Sequence, residues 1–162
     1  MGIKCMTSDA DIARHLEDKA QRLRNALIEC LIRMGERAVT EARENHRYKD
    51  RTGNLTSSIG YCVLDNGSVI IESSFNVAKG VWKDDKGHSH PYSGDAGSKE
   101  GLEFLRSLIS EHSTGLVLII VAGMNYASYV EAMNLNVLDS AEQLVERELP
   151  GLLKQLNIDN NE

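Results

Sequence analysis

Cysteine is scarce in this sequence, with three residues among 162. They stand at positions 5, 30 and 62, an odd number without a C-x-x-C spacing, which argues against a disulfide framework and against a zinc knuckle. Cys30 and Cys62 have apolar neighbours and are therefore predicted to be buried, reduced thiols. Such thiols fit synthesis in a reducing cytoplasm.

Long hydrophobic runs are missing as well. The longest, Leu116–Ala122, is far too short to span a bilayer. Residues 1–6 lack the apolar stretch of a signal peptide. We therefore expect a soluble protein that is not exported and that has no membrane partner.

Basic residues are outnumbered, since 18 Lys and Arg stand against 24 Asp and Glu, for a net charge of -6. A protein that binds nucleic acid without sequence preference needs a basic face that displaces counterions from phosphates. No specific nucleic-acid partner is therefore expected. With 41% hydrophobic residues, a chain of 162 residues can bury one core and is short for two. Residues 1–162 are predicted to form a single domain.

The strongest pattern present is a helix over residues 8–46, with Ser8 or Asp9 as its N-cap. Its apolar positions recur at helical spacing, at Ile12, Leu16, Ala20, Leu23, Leu27, Leu31, Met34, Ala38 and Ala42. Such a rod is about 57 Å long, whereas a compact domain of this size has a radius of gyration of about 15 Å. The rod would overhang its own core, which predicts self-assembly. The alternative is a break at Gly35 that folds the chain back as a helical hairpin.

A β-hairpin is predicted over residues 55–75, with strands at 55–64 and 69–75. Between them stands Asn66-Gly67, the dipeptide that best accepts the positive φ angles of a two-residue turn. Alternation places one set of side chains toward the core, namely Leu55, Ser57, Ile59, Tyr61 and Val63. The other set, Thr56, Ser58, Gly60 and Cys62, is expected to face solvent or a partner.

Residues 76–114 are predicted to be an insertion, made of an irregular loop over 79–100 and a short helix over 100–111 capped by Ser98. Residues 115–122 form a β-branched run that is typical of a central strand buried on both faces, paired with the hairpin and covered by helix. Residues 137–156 form the closing helix. A kink or a second helix is expected at Pro150, a capping box at Asp139 and Glu142, and a frayed tail at 157–162.

The fold class is therefore α+β, with a long N-terminal helix and a C-terminal helical region packed on a small, mainly antiparallel sheet that carries a loop-plus-helix insertion. Trp82 and Tyr92 in the loop are either contact anchors for a partner or pack the loop onto its own domain.

Sequence motifs that would indicate a catalytic site are few and incomplete. The nearest approach to a metal cluster is a group in and after the loop, namely His88, His90 and His112 with Asp84, Asp85 and Asp95. No second motif supplies ligands at a fixed offset, so a solvated polar loop is the main prediction and a metal-dependent hydrolase using His88 and His90 is a minor alternative. The serines show no G-x-S-x-G elbow, and no glycine pattern cradles a phosphate. We expect no enzyme activity, no cofactor and no metal.

Two short segments carry a family resemblance. The first, D-x-T-G-x-L-x-x-S-I, comprises Asp50, Arg51, Gly53, Leu55 and Ile59 among its residues, with a turn at a positive-φ glycine. The second, Y-A-x-x-V-E, comprises Tyr126, Tyr129 and Glu131. Together they resemble the head-to-tail joining, or tail completion, proteins of long-tailed bacteriophages and prophages. The order of long helix, hairpin, strand and closing helix also matches. The chain differs from that family in lacking a glycine after Glu131 and in its insertion.

The resemblance implies a non-catalytic virion assembly protein, made in the bacterial host cytoplasm and placed in the neck or tail of the virion. It would self-associate into a ring, expected to be a hexamer, between the phage connector and the tail-tube proteins. Arg51 and Glu131 are predicted to make a polar contact that fixes the two segments or bridges subunits. The alternative is a cytoplasmic protein-interaction domain that binds a partner through the 79–100 loop.

Overall fold

The structure is a computed structural model and describes residues 8–156. The helices are α1 (Asp9–Glu44), α2 (Asn54–Ser57), α3 (Asp95–Ile109), α4 (Ala127–Ala132) and α5 (Asp139–Gln155). The strands are β1 (Ile59–Asp65), β2 (Ser68–Glu72), β3 (Lys79–Lys83), β4 (Ser89–Ser93) and β5 (Leu116–Ala122). The predicted α+β class is confirmed. Cys5 and the tail predicted at 157–162 lie outside the described residues.

The long helix is confirmed as one piece of 36 residues. Ser8 is its N-cap, because its hydroxyl oxygen accepts a hydrogen bond of 3.2 Å from the Asp11 N–H. Gly35 does not break α1. A Cβ there would come closer than 3.0 Å to the Tyr61 ring, so the glycine lets helix and sheet approach each other. The alternative of a helical hairpin is therefore wrong.

The three-stranded sheet has the order β2-β1-β5, with both pairs antiparallel. The predicted hairpin turn is confirmed, since Asn66 and Gly67 have φ angles of 48° and 78°. The predicted start of the first strand at Leu55 is wrong. Residues 54–57 instead form the single turn of α2, stabilised by a hydrogen bond of 2.6 Å from the Ser57 hydroxyl to the Gly53 carbonyl.

The central strand is β1, and the prediction that residues 115–122 occupy that place is wrong. β5 pairs with β1 along one edge only, and its side chains are mostly half-buried. Its predicted pairing with the hairpin and its helical cover are confirmed. The small side of the first strand does not face solvent either, because Cys62 is fully buried under α3 beside Leu105.

Residues 79–100 are more ordered than their composition predicts. They contain a second, two-stranded sheet of β3 and β4, and α3 begins at Asp95 instead of Glu100. Ser98 does not cap a helix, since its hydroxyl donates to the Phe75 carbonyl at 2.6 Å. The insertion therefore covers the second face of the main sheet.

The core has two layers, one on each face of β1. On one face, α1 and α5 pack against the sheet through Ala38, Val39, Ala42, Ile59, Tyr61, Val63 and Ala141. On the other face, α3 covers Cys62, Leu64, Ile119 and Val121 with Leu105 and Phe75. Pro150 lies inside α5 without starting a second helix. Among residues 8–156, no helix is long and apolar enough to cross a bilayer.

Candidate functional site

The two motif segments pack against each other. A small core cluster joins them, made of Tyr48, Leu55, Met124, Ala127 and Val137. The Gly123 N–H donates to the Ser58 carbonyl at 3.1 Å, which fixes the end of β5 to the turn before β1. Leu55 belongs to this cluster and is 2% exposed, whereas Ile59 is 0% exposed in the core under α1 and α5. The sequence showed the two segments but not that they touch.

The D-x-T-G turn is built from local hydrogen bonds. Gly53 has a φ of 72°, as predicted, and the Tyr92 ring fills the space where a side chain would stand. The Asp50 carboxylate accepts a hydrogen bond of 2.9 Å from the Thr56 N–H and so holds the first turn of α2. Asp50 and Gly53 consequently shape the chain path.

Glu131 holds the start of α5. Its carboxylate accepts hydrogen bonds from the N–H groups of Val137, Leu138 and Asp139, at 2.5 to 2.7 Å. Burial acts to raise the pKa of Glu131, but the three N–H donors outweigh it and the pKa is lowered. The negative charge of Glu131 raises the pKa of Asp139. The predicted capping box at Asp139 and Glu142 is wrong, because a glutamate from the preceding helix takes that role.

Arg51 and Glu131 do not meet within the described chain. The Arg51 guanidinium lies over the Trp82 ring, 5.3 Å from its centroid, while both Glu131 oxygens accept bonds from α5. A contact between them that fixes the two segments of one chain is therefore absent from residues 8–156. A contact between subunits stays a prediction.

Between the D-x-T-G turn and the β3–β4 hairpin lies a cleft of ≈ 650 Å³. Its wall includes Trp82, which stacks on His90 with ring centroids 4.6 Å apart. Burial raises the pKa of Tyr48, which also lines the cleft, to about 12. Trp82 and Tyr92 thus pack the hairpin onto its own chain.

The side chain of Asp84 organises the tip of that hairpin. Its carboxylate lies 3.0 Å from His88 Nδ1 and 3.2 Å from His90 Nε2, and it accepts bonds from the Lys86 and His88 N–H groups. Burial opposes the shift, yet these hydrogen bonds lower the pKa of Asp84. In residues 8–156, no group of three or more His, Cys, Asp or Glu has the geometry to hold a metal ion.

The first part of α1 projects away from this joint. We call residues 9–23 the arm. Every residue of the arm is exposed, and its apolar stripe is 47% exposed at Ile12, 63% at Leu16 and 39% at Leu23. The helix meets the sheet at Arg24, whose Nε donates to Asp65 at 2.8 Å. The predicted overhang of the rod is confirmed.

A second uncovered apolar surface runs over the open edge of β5. It consists of two adjoining cavities of ≈ 610 Å³ and ≈ 320 Å³ that share Ile120 and Leu138. We call it the edge groove; its main lining residues are Phe104, Leu108, Ile120, Leu138, Val145 and, on the rim, Glu142 and Glu146. The sequence could not reveal this surface, because periodicity does not tell which strand lies at an edge.

The second motif segment presents its tyrosines to solvent. Tyr129 is 67% exposed and Tyr126 is 37% exposed. Burial and the nearby Asp50 carboxylate raise the pKa of Tyr126. Comparison of the chain with protein-family models, with curated proteins and with solved structures finds no match.

Proposed function

We propose that the chain is a structural protein of a tailed phage or prophage that forms a ring, a hexamer, at the head-tail junction. In this role it contacts the connector on one side and the tail-tube proteins on the other, and it carries out no catalysis. The two motif segments and their order along the chain support the family, and the arm supports self-association.

The exposed stripe of the arm is the observation that carries the proposal. About 15 residues at 1.5 Å each extend the helix by about 22 Å beyond its first tether to the sheet. The apolar stripe on this projection is exposed to water. Burying it would stabilise a complex by roughly 25 cal/mol for each Å² of apolar surface removed from water. Repeated contact between identical copies closes into a ring when the rotation between neighbours permits it.

The hydrogen bonding of the acidic groups also supports a structural role. Asp50, Asp84 and Glu131 each direct carboxylate oxygens at backbone N–H groups of neighbouring turns. These bonds stabilise helix starts and a hairpin tip, where a charged acceptor is worth more than a neutral one. The three carboxylates therefore stabilise the fold through these hydrogen bonds.

The proposal is tested in a phage or lysogen that carries the gene. Interrupting the gene is expected to yield DNA-filled heads and separate tails in electron micrographs, and the intact gene in trans is expected to restore joined particles. Leu16→Asp in the arm should fail to restore them. Gln21→Asp, which adds the same charge on another face of the same helix, should succeed. Joined particles from the interrupted gene would contradict the proposal.

A second candidate function is a protein-interaction domain that uses the β3–β4 hairpin. The cleft under the hairpin favours it, as does Val81, which is 61% exposed on β3. Here Val81→Asp is expected to abolish partner binding while Leu16→Asp leaves it unchanged. In the ring proposal Leu16→Asp abolishes assembly and Val81→Asp leaves it unchanged. The same pair of variants therefore separates the two functions.

A further inference from the structure

We infer that the arm of one copy docks in the edge groove of the next copy, with the basic flank of the arm against the acidic rim of the groove. This inference rests on the proposed self-association and names its two surfaces.

The arm presents a narrow apolar stripe with basic residues beside it. Ile12 and Leu16 lie one turn apart on one face, and Leu23 continues that face two turns later. Lys19 stands between Leu16 and Leu23, and Arg22 lies one turn beyond Lys19 on the same flank. Both side chains are exposed. Anything that covers this stripe therefore also meets two positive charges.

The groove presents the complementary pattern. Ile120 on β5 and Leu138 and Val145 by α5 form its apolar floor. Glu142 and Glu146 stand one turn apart on the outer side of α5, are exposed, and line the rim. Two acidic groups at one-turn spacing match the spacing of Lys19 and Arg22 on the arm.

The two surfaces also agree in length. The stripe from Ile12 to Leu23 is about 17 Å long, and α5 runs about 11 Å from Leu138 to Val145 before the groove continues across the end of β5 to Phe104. Phe104 is 44% exposed at that far end. An apolar groove bordered by charge accepts an amphipathic helix in this way.

The occupant is a second copy because the two surfaces are complementary in charge and, within residues 8–156, no other part of the chain covers either of them. The arm lies beyond the tether of Arg24 to Asp65, and the groove lies on the open side of β5. Since arm and groove are different surfaces, their contact is heterologous, and a heterologous contact can close into a ring. Pairing of arm with arm would bury the stripe but leave the groove in water.

A charge-swap experiment on the full-length chain tests the inference by sedimentation over a range of concentrations. One variant carries Lys19→Glu with Arg22→Glu, and another carries Glu142→Lys with Glu146→Lys. Each alone is expected to weaken association at least about tenfold, because like charges then face each other across the contact. An equimolar mixture of the two, and a single chain with all four changes, should both regain association. Arg14→Glu and Gln143→Lys are the matched controls on other faces of the same helices, and each is expected to leave association unchanged.

Two outcomes would overturn the inference and are distinct from failure of the proposed function. If the groove variant associates as strongly as the wild type while the arm variant does not, arms pair with arms and the groove is not the acceptor. If the chain with all four changes stays dissociated although circular dichroism shows it folded, the two sets of charges do not meet. A wild-type protein that remains monomeric throughout would instead contradict the proposed ring itself.

Discussion

The two halves of α1 have the same hydrophobic spacing but differ in how far their apolar side chains are buried. In the half beyond Arg24, Met34, Ala38 and Ala42 are fully buried, and the two alanines pack against the sheet and α5. In the arm, Leu16 stands at an equivalent apolar position and is 63% exposed. The spacing of apolar residues predicts which face of a helix is apolar. How much of that face is buried depends on how far the other segments of the chain extend along it. The uncovered remainder is where a neighbour is expected.

The sharpest test of this difference is a pair of truncations. Met34→Ala is expected to lower the free energy of unfolding by about 2–5 kcal/mol, because it opens a cavity in a closed core. Leu16→Ala should change it by less than about 0.5 kcal/mol at concentrations where the protein is monomeric, since its side chain contacts little else. Chemical denaturation of both variants measures the two values. Equal losses would show that the arm is covered by its own chain.

Gly35 gives a second test. For Gly35→Ala, helix propensity alone predicts a stabilised protein, whereas the packing predicts a destabilised one. Gly→Ala in an exposed helix stabilises by roughly 1 kcal/mol. At Gly35 a methyl group would overlap the Tyr61 ring, so Gly35→Ala is expected to destabilise by about 1–3 kcal/mol. Asn25→Ala, at an exposed position of the same helix, is the control and should stabilise slightly. A stabilised Gly35→Ala protein would mean that helix and sheet do not approach each other there.

Glu131 fixes α5, the helix that covers the buried half of α1. Glu131→Gln is expected to lose about 1–2 kcal/mol at pH 7, the magnitude of a charged helix cap. The folded-state pKa of Glu131 lies below its ordinary 4.5. Its stabilisation is therefore complete above that value and is lost as the pH falls through the lowered pKa. Melting temperatures of the two proteins should differ at pH 7 and converge in acid, whereas a constant difference would contradict the charged cap.

The Arg24–Asp65 pair marks the boundary between the two halves of α1. Of the contacts tested by substitution, we expect its removal to lower the free energy of unfolding least. The Arg24 hydrogen bond lowers the pKa of Asp65, so the carboxylate is charged at neutral pH. The pair is half-buried, and ion pairs that remain open to solvent contribute little and are screened by salt. Arg24→Met should reduce stability less than Glu131→Gln does, and the loss should shrink in high salt. A loss independent of salt would show that the contact is mainly packing.

Periodicity and turn chemistry were enough to predict much of this fold. The long helix and the Asn66-Gly67 turn depend on residues close together in sequence. So does the positive φ of Gly53. Each follows from spacing or from a local backbone preference, and each is found as predicted.

The failures share a physical cause, since they depend on which distant segment lies next to which. The run at 115–122 is apolar enough for a central strand, but β1 takes that place because it pairs with β2 on one side and with β5 on the other. Glu131 replaces the predicted capping box because α4 brings its carboxylate to the start of α5. The edge groove follows from the same strand order and was not predicted at all.

The mass of the purified protein by multi-angle light scattering, over a wide range of concentrations, tests the central claim most directly. The wild type is expected to rise with concentration from one chain to a closed oligomer such as a hexamer. Leu16→Asp should stay at the mass of one chain under the same conditions, and Gln21→Asp should follow the wild type. A wild type that keeps the mass of one chain at every concentration, or a Leu16→Asp variant that assembles as the wild type does, would contradict the role given to the arm.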